Sequence, residues 1–83
     1  MNNTIRGLLK KHAGLPVNVD DLVDGADLYA AGLSSFASVQ LMLALEESFD
    51  IEFPDSLLNR KSFQSIDAIE RSLSSILDGR KVA

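Results

Sequence analysis

Apolar residues along the chain recur at helical spacing in four places, and no segment alternates with the period of a strand. The first stretch runs from about Asn3 to Ala13. Ile5, Leu8, Leu9 and His12 share one face, and Gly14 with Pro16 stops it. A long connection follows, from Gly14 to Leu33. It holds Pro16, Gly25 and Gly32, but also Leu15, Val17, Val19, Leu22, Val23, Leu28 and Tyr29. So many apolar residues in one loop predict that it packs over the core. A second helix is expected from Ser35 to Phe49 or Asp50, with Ser34 as its N-cap. A short third is expected over Asp55 to about Arg60, just after Pro54, and a fourth over Ser65 to Leu77. In the fourth, Ile66, Ile69, Leu73, Ile76 and Leu77 form one stripe, with Gly79 after its end. The predicted fold is all-α: a small four-helix bundle of three longer helices and one short, with a long first loop.

The second helix has two apolar sectors. At about 100° per residue, Leu41, Leu45, Phe49 and Met42 gather on one side with Ser38, while Phe36, Val39 and Leu43 gather nearly opposite, beside Gln40, Glu46 and Glu47. The first sector is expected to meet Ile5, Leu8 and Leu9 and the stripe of the fourth helix. One small core cannot bury both sectors. The second therefore reads as an exposed docking strip rimmed by acids. The alternative is that the Gly14–Leu33 connection folds over it.

Length and composition narrow the classes. Eighty-three residues make one domain, 1–83, with one modest core. There is no cysteine, so no disulfide and no thiolate-bound metal, and a cytoplasmic location is expected. The N-terminus lacks a signal-peptide pattern, and the densest apolar run, Phe36 to Leu45, is too short and too polar to span a membrane. The net charge is −4, and no Lys or Arg lies between His12 and Asn59. That span carries Asp20, Asp21, Asp24, Asp27, Glu46, Glu47, Asp50, Glu52 and Asp55. Such a field disfavours nucleic acid and anionic membrane, and favours a partner with a basic docking surface. The bland counterpart is a solvated acidic surface. The acids lack calcium-loop spacing, and no metal site is expected. His12 stands alone as a helix-end residue, and no nucleophile–base pair points to an enzyme.

A serine opening a helix just after Gly32 lies at the positive end of the helix dipole, where a phosphate ester is well placed. Taken alone, that signal is weak, because a serine at a helix start is usually just a cap.

The stretch Asp27-Leu28-Tyr29-Ala30-Ala31-Gly32-Leu33-Ser34-Ser35-Phe36, continuing through Val39-Gln40-Leu41 and Leu45-Glu46-Glu47 to Phe49-Asp50-Ile51-Glu52-Phe53-Pro54-Asp55, resembles the acyl carrier proteins. Those typically show an acidic-Leu pair, a glycine, Asp-Ser-Leu, a helix of the form Val-Glu-Leu-x-x-x-Leu-Glu, and Phe-x-Ile-x-Ile-Pro. Lys61-Ser62-Phe63-Gln64-Ser65-Ile66-Asp67-Ala68-Ile69 is similar to the start of the family's last helix. The resemblance implies a carrier, not an enzyme, whose serine accepts 4′-phosphopantetheine from coenzyme A through a separate phosphopantetheinyl transferase. By motif position that serine is Ser35, and cargo then travels as a thioester between partner enzymes. Ser34 stands where Asp is usual and Phe36 where Leu is usual. The implied docking residues are Ser34, Phe36, Val39, Leu43, Glu46 and Glu47. The expected partners are the transferase and cargo-loading ligases or synthases, and the chain is expected to work as a monomer. Fatty acyl, polyketide and aminoacyl cargo all fit the pattern, including the special case of an aminoacyl carrier loaded by a stand-alone amino acid ligase. A helical adaptor that leaves Ser35 unmodified is the rival reading.

Overall fold

The computed structural model describes residues 1–82, with side chains described through Gly79. It contains three α-helices: α1 (Asn2–His12), α2 (Ser35–Phe49) and α3 (Ile66–Val82). Three short 3-10 turns, at Val19–Asp21, Asp55–Leu57 and Arg60–Phe63, lie in the connections, and the described residues form no strand. The all-α expectation holds, and α2 has the expected bounds.

The short third helix does not form. Two 3-10 turns replace it, so the four-helix count becomes three α-helices. Six residues are too few to repay helix nucleation, and this segment also breaks in the middle. Leu58 sits at φ −86° and ψ 68°, outside the helical region. Asn59 is extended and starts the next turn by accepting the Ser62 N–H on its side-chain oxygen at 3.0 Å. The last helix also runs further than expected, through Gly79 to Val82. No proline follows Gly79 in the chain, and an interior glycine costs a helix only about 1 kcal/mol. At the start of α3, the Ser65 hydroxyl oxygen accepts the Ala68 N–H at 3.0 Å as a cap.

α1 packs against both α2 and α3. Ile5 and Leu9 of α1, Leu41 and Leu45 of α2, and Ile66, Ile69 and Leu73 of α3 are fully buried together. Leu8, Phe49 and Ile76, also expected in the core, lie half-buried at its margin. The connections supply the rest. Val19, Leu28 and Leu33 enter from the first and Ile51, Phe53 and Phe63 from the second. The Phe53 and Phe63 rings lie 5.2 Å apart, tilted by 52°.

Polar contacts fix the path of the long connection. Arg6 donates to the Val19 carbonyl and to the Asp24 carboxylate, each at 2.7 Å. Asn2 donates to Asp24 at 2.8 Å and to Glu70 at 2.9 Å. The Leu28 N–H donates to the Gln64 carbonyl at 2.7 Å, and the Asp67 N–H to the Asp24 carbonyl at 2.9 Å. The connection is thus tied to α1 and to the start of α3. It does not cover the outer side of α2. Gly32 lets it close, at φ 118° with its α-carbon so near Pro16 that an added Cβ would lie 2.7 Å from the proline Cδ.

Candidate functional site

The approach to α2 is a rigid turn. The Asp27 carboxylate accepts the N–H groups of Tyr29 at 2.9 Å and Ala30 at 3.2 Å. These bonds, the Ala30 N–H foremost, with help from Gln64 and Arg60, hold its pKa below the ordinary carboxylate value. The Leu33 N–H then returns to the Leu28 carbonyl at 2.9 Å. In the sequence Asp27 is one acid of the acidic span and the first letter of the carrier-like motif, with no bonding role assigned. The turn chemistry of an Asp before two free amides was the signal that would have assigned it.

At the rim stand the two serines, with different tasks. Ser34 is extended, and its hydroxyl oxygen accepts the Ala37 N–H at 3.0 Å, so Ser34 is the N-cap as expected. Ser35 is the first helical residue and is exposed. Its carbonyl accepts the Ser38 hydroxyl at 2.7 Å, which steadies the first turn. With capping done by Ser34, the Ser35 hydroxyl is left facing solvent. No acid stands in the first turn of α2 to oppose an added negative charge.

Ser35 also borders an open cleft of about 430 Å³. Val39 and Met42 line it from α2, Leu58, Arg60 and Phe63 from the second connection, and Tyr29 from the first. The Arg60 guanidinium carbon lies 4.2 Å from the centre of the Tyr29 ring.

On its outer side α2 presents Phe36, 75% exposed, and Val39 and Leu43, each 50% exposed. Glu47 is exposed at the end of this strip. Glu46 differs: it is half-buried, and its carboxylate accepts the Phe53 N–H at 2.9 Å, fastening the chain that leaves α2. The acidic span is less uniform than its sequence. Asp20 pairs with Lys10 and Asp24 with Arg6, each at 2.7 Å, so α1 offsets two of the acids. Lys11 and His12 border a hollow shared with Leu43 and Glu47. No helix among the described residues is long and apolar enough to cross a membrane.

The family model for the phosphopantetheine attachment site matches residues 3–73. The chain belongs to that family. It is a phosphopantetheine-dependent carrier protein, which serves enzymes rather than being one. Over its full 83 residues the carrier is 68% identical to the aminoacyl carrier protein of Agrobacterium fabrum, and covers all of that chain. Its fold matches, with a TM-score of 0.87 and 69% identity, the Agrobacterium tumefaciens carrier protein crystallised with an engineered Bradyrhizobium japonicum glycine:[carrier protein] ligase and AMP. That match covers 89% of this carrier and 99% of the other chain. A glycylated carrier protein in complex with the Bradyrhizobium japonicum ligase matches with a TM-score of 0.74 and 31% identity, over 86% of this carrier and 95% of that chain.

The carrier's residues fit the group that its family attaches. A covalent arm needs an exposed hydroxyl on a fixed support, and Ser35 offers one at the start of a packed helix. Beside it the cleft has an apolar floor and a cation, matching an arm that is anionic at its root and carries dimethyl and methylene groups between its polar amides. When attached, 4′-phosphopantetheine supplies the thiol that holds cargo as a thioester.

Proposed function

We propose that this chain is a single-domain aminoacyl carrier, with 4′-phosphopantetheine on Ser35 and an amino acid loaded by a stand-alone ligase. The observation that carries the reading is the full-length, 68% identity to an aminoacyl carrier protein, joined to the fold match with a carrier caught on a glycine:[carrier protein] ligase. Ser35 is the attachment residue because it is the exposed first residue of α2, and its neighbour Ser34 is spent on the cap. A phosphopantetheinyl transferase installs the arm in the cytoplasm. The ligase docks on Phe36, Val39 and Leu43, with Ser34 at one end and Glu47 at the other, and offers basic groups to the acids. Glu46 contributes charge to that rim, although its first task is to hold Phe53. The carrier acts as a monomer. Weak docking with fast release suits a shuttle, because the tether raises the local concentration of cargo without a tight complex.

Two measurements test this. Intact mass after incubation with coenzyme A and a transferase should show the arm, and incubation of the product with ATP, glycine and a glycine:[carrier protein] ligase should add one glycyl group. Loading by a fatty acyl or polyketide system, and not by the ligase, would overturn the aminoacyl reading. Glu47→Lys should slow loading while leaving the melting temperature in place. If it unfolds the protein instead, the outward docking face is wrong.

A further inference from the structure

We propose that Arg60 is a clamp for the phosphodiester at the root of the arm, and that it lays the arm along the cleft between α2 and the 58–63 segment. The proposal rests on Ser35 being the attachment residue. Ser35 and Arg60 line the same cleft, and Arg60 is the only cation among the residues that line it. α2 and the connections on either side of it carry no other Lys or Arg from residue 12 to residue 59, so the cation of this cleft comes from the 58–63 segment.

The setting of Arg60 fits the task. Its guanidinium rests over the Tyr29 ring at 4.2 Å. Stacking on an aromatic uses the flat face of a guanidinium and leaves its N–H edge free to donate. Among the described residues Arg60 has no ion pair within 4.0 Å. The nearby anion is Asp27, whose oxygens already accept from the Tyr29 and Ala30 amides and from Gln64. Arg60 is therefore positioned by Tyr29 but not neutralised. A phosphodiester on Ser35 is an anion at any working pH, and its two free oxygens suit the arginine fork. Beyond it, Val39, Met42, Leu58 and Phe63 give an apolar bed to the dimethyl and methylene parts of the arm.

Val39 and Leu58 belong both to this bed and to the exposed apolar surface. A partner that covers them meets the arm where it lies. The clamp thus biases the resting position of the cargo, and docking can lift it.

The test uses the intact protein carrying an isotope-labelled arm, verified by mass. Nuclear Overhauser contacts are expected between the arm and the methyl groups of Val39, Met42 and Leu58, with a phosphorus shift distinct from that of the free arm. Arg60→Gln should lower those contacts roughly twofold to fivefold, as loss of one exposed charge pair allows, and move the phosphorus shift towards the free value. Arg60→Lys should fall in between. In the apo protein, amide shifts should change only around residue 60, Tyr29 and Asp27, and the melting temperature should change little, since Arg60 is exposed. Contacts of equal strength in wild type and Arg60→Gln, or an arm that is present by mass yet makes no contact in wild type, would overturn the clamp alone. A wild-type chain that takes no arm would overturn the attachment reading and the clamp with it.

Discussion

At the scale of single residues, the site depends on a division of labour between two adjacent serines. Removing the Ser34 hydroxyl leaves the Ala37 N–H without its partner, which costs about 0.5–2 kcal/mol at an N-cap. Ser34→Ala should therefore lower the urea midpoint yet still gain the arm in a mass spectrum. Ser35→Ala should keep the midpoint and gain nothing; the reverse pattern would move the attachment to Ser34. A second residue-scale prediction concerns Gly32. Alanine there meets Pro16 at 2.7 Å and must hold φ 118°, so Gly32→Ala should cost about 1–3 kcal/mol. Gly25→Ala, with open space around its Cβ position, should cost little by the same urea titration. The motif pointed to Ser35 and the helix start to Ser34 as its cap, but neither could say what Asp27 or Glu46 do. Those tasks are hydrogen bonds to particular backbone amides, set by turn geometry that no periodicity reports.

At the scale of elements, α2 was the most legible part of the chain. Its bounds, its cap and its two apolar sectors all follow from spacing, because one side of a helix must meet a core and a small core has room for one side only. Leu45 is fully buried and Val39 is half exposed. Leu45→Ala should cost about 2–5 kcal/mol through the cavity it leaves, whereas Val39→Ala should cost under about 1 kcal/mol. Equal losses in chemical denaturation would mean that the outer sector is buried in solution. The second connection was less legible. Pro54 just before Asp55 predicts a helix start, yet the backbone turns at Leu58 and Asn59 and forms two 3-10 turns. Local composition does not reveal this, since the segment is shaped by Phe53 and Phe63 reaching a shared core. Likewise the first connection was expected to pack, but which side it covers is decided by Asn2 and Arg6 gripping Asp24, which lies far from both in sequence.

At the scale of the whole molecule, the Asn2–Arg6–Asp24 knot ties the connection to α1 and makes stability depend on acid. The bonds from Asn2 and then Arg6 hold the Asp24 carboxyl below its ordinary pKa, so the folded state favours its ionised form. The stabilisation is complete above the ordinary carboxylate pKa and is lost as pH falls through the lowered folded value. Urea midpoints should be flat around neutrality and fall on the acid side. Asp24→Asn should lower the midpoint at neutral pH, with the gap to wild type closing in acid; a constant gap would show that the carboxylate charge plays no part. Because the loop is tied down on the far side, the outward side chains of α2 contribute little to holding the molecule together. On the docking reading proposed above, they form an address that can be rewritten. Exchanging Phe36, Val39, Leu43 and Glu47 as a set for those of another carrier should transplant the choice of loading enzyme onto this scaffold without a new fold having to be found.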